Sequence, residues 1–300
     1  MGFINNYSPL RYPGGKAAAA EFFIEVLSAN NIGQEGVYCE PFAGGAGVAL
    51  TLLLTERVER IIINDFDPCI AAFWMSLLDQ TDNFIKKIYD CKITIESWKE
   101  HRAVYDNATI SDLSSKEMCL ALGFSTFFVN RTNRAGVLPK AGPIGGRKQD
   151  GAYRLDARFK KDVLIERINK IALVKDKITF TSEDALEFIK NIENCTLNRD
   201  RVFLYLDPPY YHRGKDLYLN FYTHNDHLRL AEYMKNFKHC RWMMTYDNCE
   251  EIKNIYDDEF VSLHEFSLQY SMQHVRKAKE ILIVPQITVT QMRSDNAKTY

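Results

Sequence analysis

Seven short runs of β-branched and aromatic residues punctuate this chain, and most are apolar throughout instead of alternating. Continuous apolar runs suit strands buried on both faces, as in a parallel sheet covered by helices. The runs are GVYCEPF (36–42), RIIIND (60–65), ITFTS (178–182), VFLYLD (202–207), RWMMTYD (241–247), FVSLHEFSLQY (260–270) and KEILIVPQI (279–287). Helical stretches lie between several of them. AAAAEFFIEVLSAN (17–30) carries Phe22, Phe23, Val26 and Leu27 on one side; AGVALTLLLTE (46–56) and HLRLAEYMKN (227–236) are two more. Strands alternating with helices predict an α/β chain with a doubly wound sheet. The last two runs leave no room for a helix between them, so they read as a terminal antiparallel hairpin closing one edge.

The middle of the chain differs. From about 71 to 128 it looks helical, with Trp74, Leu77, Leu78, Phe84, Ile85 and Ile88 at helix-like spacing. A Gly-, Pro- and Arg-rich segment follows, NRTNRAGVLPKAGPIGGRKQDGAYRLDARFKKD (130–162), which reads as a long irregular or hairpin element. Charge is sorted between these regions. The whole chain has a net charge of −1, yet residues 130–177 hold 13 basic against 5 acidic residues, a net of +8. Basic residues on such a loop, next to Tyr153 and Phe159, favour a phosphate-backbone contact over a merely solvated face. The domain reading follows: 1–75 with 172–300 form the sheet domain, and 76–171 an inserted, mainly helical region.

Seven cysteines lie at 39, 69, 91, 119, 195, 240 and 249, with no C-x-x-C pair. An odd, scattered set argues against a disulfide framework and against a zinc site, so no metal is expected. Reduced core cysteines fit a cytoplasmic protein. No apolar run reaches membrane length, and the first sixteen residues lack a signal-peptide h-region.

EPFAGGAGVAL (40–50) places glycines between a strand and a helix, where the backbone can approach a ligand closely. It does not match G-x-G-x-x-G, since Leu50 occupies the last glycine position. Asp65 ends the next strand, twenty residues after Gly45, where an acid accepts hydrogen bonds from ribose hydroxyls. A nucleoside-containing cofactor is the reading. Glu40 would repel a pyrophosphate but would welcome the sulfonium and amino group of S-adenosyl-L-methionine. Phe42 and Gly44 in the same turn are further candidate contacts.

The fourth run drives into RVFLYLDPPYYHRGKD (201–216), where Asp207, two prolines and two tyrosines follow in fixed order. A turn cap, a strand stop and a core ring would explain each residue singly, but not that order. Together, glycine loop, ribose acid and DPPY resemble the Dam-like DNA adenine-N6 methyltransferases. SPLRYPGGKA (8–17) looks like that family's N-terminal motif, NRTNRAGVL (130–138) like the start of its DNA-reading hairpin, and KEILIV (279–284) like its last strand. The resemblance spans nearly the whole chain, with two departures. Tyr12 stands where enterobacterial Dam enzymes carry Trp, and GPIGG (142–146) is inserted in the reading hairpin, so a recognition sequence is not carried over.

The resemblance implies a Rossmann-like methyltransferase sheet and a DNA-recognition role for 76–171. It places Tyr12, Lys16 and Asp184 at cofactor-contacting positions beside Asp65, with Asp207 opening the catalytic motif and serving as a candidate cofactor contact as well. Asp207 and the carbonyl of Pro208 would accept the two hydrogens of an adenine amine, a poor nucleophile whose lone pair is delocalised. Pro209 would stiffen the motif, and Tyr210 would stack on a base flipped from the duplex. Tyr211 has no role on this reading. Arg131, Asn133, Arg134, Arg147 and Lys148 are the candidate DNA contacts, Arg suiting guanine and Asn adenine. Double-stranded DNA is the implied partner, a cognate restriction endonuclease is compatible with it, and a monomer is the default. Three rival readings are an RNA or protein-amide methyltransferase, a nucleotide-dependent oxidoreductase, which leaves DPPY without a task, and a non-catalytic DNA-binding module, against which the intact Asp207 and Tyr210 argue.

Overall fold

The apolar runs become strands, and those at 37–40, 202–206 and 241–247 are buried on both faces. The computed structural model describes residues 7–11, 16–212, 222–270, 276–286, 288 and 297–299. The strands are β1 (Val37–Glu40), β2 (Arg60–Asn64), β3 (Ile178–Thr181), β4 (Val202–Leu206), β5 (Arg241–Asp247), β6 (Val261–Tyr270), β7 (Arg276–Pro285) and β8 (Ala297–Thr299). They form one sheet in the order β3-β2-β1-β4-β5-β7-β6-β8. The first five are mutually parallel, and β7 runs antiparallel between β5 and β6. The expected hairpin is therefore present, with its later strand on the inside. The short β8, which has no apolar run, adds an antiparallel strand outside β6.

Side chains of β4 show the two-sided burial directly. Phe203 and Tyr205 join one hydrophobic cluster, while Val202, Leu204 and Leu206 join the other. The helices are α1 (Ala20–Ala29), α2 (Gly47–Leu54), α3 (Pro68–Asp79), α4 (Thr81–Asp90), α5 (Ile95–Asp106), α6 (Lys116–Thr132), α7 (Lys161–Ala172), α8 (Ala185–Asn194), α9 (His224–Asn236) and α10 (Glu250–Ile255). Residues of α8, α9 and α10 cover the face of Leu204, whereas α1 to α7 contribute to the cluster of Phe203. The helical middle is thus continuous with the sheet's core: Trp74 and Phe127 share a cluster with Tyr38 and Ile61. Gly123 lets α6 lie directly on α3, because a β-carbon there would fall 2.3 Å from the Ala72 carbonyl oxygen.

Three elements exceed what the apolar runs showed. α9 begins at His224, where Thr223 and Asp226 cap each other's backbone. α8 and α7 were not read as helices, although Phe188, Ile189 and Ile192, and Leu164, Ile168 and Ile171, line one face of each. The basic segment, in turn, makes no hairpin ladder among the described residues. It folds back through a single bridge between Asn133 and Pro143 and through Gln149, whose amide nitrogen donates to the Ile144 carbonyl at 2.7 Å.

One buried amide joins the carboxyl ends of three strands. Asn64 Nδ2 donates to the carbonyls of Pro41 and Glu183, each at 3.0 Å. Its Oδ1 accepts from Thr181 Oγ1 and from the Glu183 backbone, each at 2.8 Å. All four bonds are made with no solvent contact. Asn64→Ala should therefore cost about 2–4 kcal/mol, the scale of stranding several buried backbone groups. A lower urea midpoint at unchanged slope would show it, and an unchanged midpoint would refute it.

Candidate active site

Strand order reverses between β1 and β4, and ligands of doubly wound sheets bind at the carboxyl ends flanking such a reversal. Here those ends carry Glu40 and Asp207. A cleft opens over them, lined also by Ser8, Leu10, Lys16, the glycine turn, Asp65, Asp184 and Pro209. Counted out to its open mouth, its empty space is about 1130 Å³.

Asp207 is held by two side chains through three hydrogen bonds. Lys16 Nζ lies 2.9 Å from both carboxylate oxygens, and Thr245 Oγ1 donates to Oδ1 at 2.9 Å. Thr245 is in turn 2.7 Å from the Tyr205 hydroxyl. Lys16 also reaches Glu280 of β7 at 3.4 Å, and the Tyr210 hydroxyl donates to Glu280 at 2.6 Å. Lys16 and Glu280 are both buried, whereas Asp207 keeps 23% of its side chain exposed toward the cleft. Burial pulls Lys16 toward neutrality, but the nearby negative charge, chiefly Asp207, outweighs this and keeps it protonated. Burial raises Asp207 above the usual carboxylate range, with Lys16 opposing the rise. Lys16, expected beside a cofactor, is thus first of all the partner of the motif's acid.

The glycine turn is shaped by the acid after β2. Asp65 accepts from the Gly44 N–H at 2.8 Å and from the Asp67 N–H at 3.0 Å. Gly44 takes a positive φ of 47°, and its carbonyl accepts from the Trp74 indole at 2.8 Å. Burial, then the neighbouring Asp67, raises Asp65 to about 7. Burial raises Glu40 to about 8. Asp184 caps α8 and faces the cleft, exposed. Phe42 lines it too and meets Tyr222 edge-on at 5.7 Å. Tyr12 lies outside the described residues. Phe66, Asp67, Tyr222, Thr245 and Glu280 were missed by the sequence reading; Phe66 and Asp67 stand beside Asp65, and Glu280 lies within KEILIV, the run likened to the family's last strand.

Beyond the motif, the Tyr211 N–H donates to Asp247 of β5 at 2.9 Å and its hydroxyl lies 2.9 Å from His224 Nδ1. Its task is to anchor the motif to β5 and α9. His212, Cys249 and Glu251 also gather here with their potential ligand atoms within 4.8 Å of one another, a trio that cysteine spacing does not reveal.

The candidate DNA contacts divide. Arg134, Arg147 and Lys148 are exposed on the basic segment. Asn133 is not available to a base: it is fully buried, its Oδ1 accepts from the Trp98 indole at 2.8 Å, and its Nδ2 donates to the Val137 carbonyl at 2.8 Å. Arg131 directs Nε and Nη2 to the Arg158 carbonyl and Nη1 to that of Pro9, which occupies the edge that would pair with guanine. Both assignments as base readers are corrected on these grounds.

The family model of the D12 class N6 adenine-specific DNA methyltransferases matches residues 12–272. This chain belongs to that family. Among solved structures it is similar to the rRNA methyltransferase aviRa from Streptomyces viridochromogenes, with 11% identity, a TM-score of 0.37, and coverage of 91% of this chain and 86% of that one. No curated protein matches it. The methyltransferase thus acts on the N6 amine of adenine in DNA, and its sheet is the Rossmann-like one expected. None of its described helices is long and apolar enough to cross a membrane.

A methyltransferase of this family implies S-adenosylmethionine as donor, and the chemistry of the lining fits that group. Glu40, Asp65, Asp67, Asp184 and Asp207 face the cleft against one base, Lys16, among the described residues. An acidic lining suits a ligand with a sulfonium and an ammonium. The raised carboxyls give a test. In the ligand-free fold they favour protonation, so their contribution to stability is fullest below the ordinary carboxylate range and is lost as pH rises through about 7 and 8. A cation reverses the preference and must expel protons. Calorimetry at pH 7 in buffers of different ionisation enthalpy should show net proton release on binding S-adenosylmethionine, reduced in Glu40→Gln. Proton uptake, or release unchanged by the substitution, would contradict this account.

Proposed function

We propose that the chain methylates an adenine flipped out of duplex DNA, with Asp207, Pro208, Pro209 and Tyr210 forming the acceptor side and the acidic cleft forming the donor side. The observation that carries this reading is the placement of Asp207. It is the acid of DPPY, it stands at the strand reversal, and it keeps an exposed edge toward the cleft.

S-adenosylmethionine, when bound, supplies an electrophilic methyl group on a positively charged sulfur. Asp65 and Asp184 would hold its nucleoside, Glu40 its charged end, and Phe42, with the turn at Gly44, its approach from the glycine loop. Asp207 accepts one hydrogen of the target amine and the Pro208 carbonyl the other, which draws the nitrogen's lone pair out of conjugation and offsets its growing positive charge. Proline fixes φ at both positions, so the carbonyls do not drift. Tyr210 offers a ring face to the base, its hydroxyl tethered by Glu280. Lys16 has a second acceptor in Glu280, so it can shift toward that carboxylate as the amine takes its place on Asp207. Arg134, Arg147 and Lys148 contact DNA from the basic segment, within the recognition region 76–171. One cleft and one motif suffice for one adenine, so a monomer is the acting unit.

Asp207→Ala should lower methyl transfer from labelled S-adenosylmethionine to plasmid DNA by about 10³-fold or more, at nearly unchanged donor affinity. Near-normal turnover in a folded variant would remove Asp207 from the mechanism. Transfer by the unaltered protein to no adenine context, with donor bound, would overturn the reading itself.

A further inference from the structure

Four arginines from four separate parts of the chain converge on one short extended segment, residues 8–11. Arg131 stands in the last turn of α6, Arg158 ends the 3-10 turn Leu155–Arg158, Arg167 lies in α7, and Arg11 belongs to the segment. Their hydrogen bonds interlock through backbone carbonyls. Arg167 Nη1 donates to Ser8 at 3.0 Å and Arg11 Nη1 to Asn133 at 3.1 Å. Arg131 donates to Arg158 through Nε at 2.8 Å and to Pro9 through Nη1 at 3.5 Å. Among the described residues no carboxylate forms an ion pair with any of the four. Glu166, whose charge reaches Arg167, forms its ion pair with Lys170 at 2.7 Å.

Four like charges gathered this way repel one another. Burial, and then the fields of Arg11, Arg167 and Arg158, depress the Arg131 guanidinium to about 9. The guanidiniums of Arg11, Arg131 and Arg167 find carbonyl dipoles that offset this repulsion, and Arg11 and Arg167, each engaged through Nη1 in these bonds, have N–H donors to spare. The segment they surround is rigid. The Asn130 amide bonds both the N–H and the carbonyl of Arg11, at 2.7 and 2.8 Å, and Ser8 Oγ donates to the Gly45 carbonyl at 2.5 Å. Ser8 and Leu10 line the cleft itself, so the cluster lies one extended segment away from the reacting groups.

We infer that Arg11, Arg158 and Arg167, with Arg131 held behind them by its carbonyl bonds, form a binding site for backbone phosphates of the substrate DNA, anchoring the strand beside the flipped nucleotide. Planar guanidiniums grip phosphate oxygens through paired N–H donors, and a fixed site next to the cleft sets the strand's position without reading its sequence. The inference rests on DNA being the substrate.

The test is the salt dependence of binding to a labelled DNA duplex. Each lost phosphate contact should lower the slope of log affinity against log salt by about 0.9. Arg158→Gln and Arg167→Gln should each do so and weaken binding several-fold at low salt, with S-adenosylmethionine affinity and melting temperature unchanged. Arg199→Gln, an exposed arginine elsewhere, should leave the slope as it is. An unchanged slope in the Arg158→Gln, Arg167→Gln double variant would overturn the inference, as would an equal drop in Arg199→Gln, which would reveal a mere net-charge effect. Saturation of the cluster by inorganic phosphate at millimolar levels, with DNA affinity untouched, would overturn it too. The failure of methyl transfer to any DNA is a separate outcome and strikes the functional reading instead.

Discussion

The site depends on the amide of Asn64. Three loops must meet at the carboxyl edge of the sheet: the glycine turn after β1, the acid after β2 and the loop after β3. Strand pairing alone does not fix where such loops go, because the ladder ends before them. A fully satisfied asparagine does, since each of its bonds has a direction and none can be replaced by water in a dry position. Asp65 then takes its place beside the turn, and the turn's shape follows from it.

That edge is charged against its own stability. Several carboxylates face one cleft, and only Lys16, among the described residues lining it, offsets them. Apolar walls or paired ions would make a more stable protein. The arrangement makes sense as a receptor for positive charge, so that folding free energy is held back and released when a cationic ligand enters. Lys16 meanwhile protects Asp207 from standing unpaired in the interval.

Much of this was legible in the sequence, and the limits have physical causes. Strands buried on both faces, β1, β4 and β5 above all, leave unbroken apolar runs, and β2, β3, β6 and β7 still show as β-rich runs, whereas β8 is short, polar and defined only by its neighbour. Motif acids such as Asp65 and Asp207 follow strands and so announce their position. Glu280 and Thr245 could not be read, because their importance lies in pairing across the sheet with residues far away in the chain. Asn133 shows the opposite failure. Its residue type suits adenine, but type says nothing about burial, and Trp98 takes its oxygen in the core. Tyr211 has no role that its place in the motif announces, and only contacts with Asp247 and His224 give it a task.

The trio of Lys16, Asp207 and Glu280 draws on the beginning, the later middle and nearly the last strand of the chain. β7, which bears Glu280, is moreover threaded between β5 and β6 instead of added at the rim. During synthesis, then, the ribosome has released the glycine turn, the ribose acid and DPPY long before the residue that completes their charge balance. No fragment short of β7 can complete this trio, and β5 stays an open edge until it arrives. Competence to modify a genome is therefore conferred late and all at once, a property of the connectivity and not of any single catalytic group.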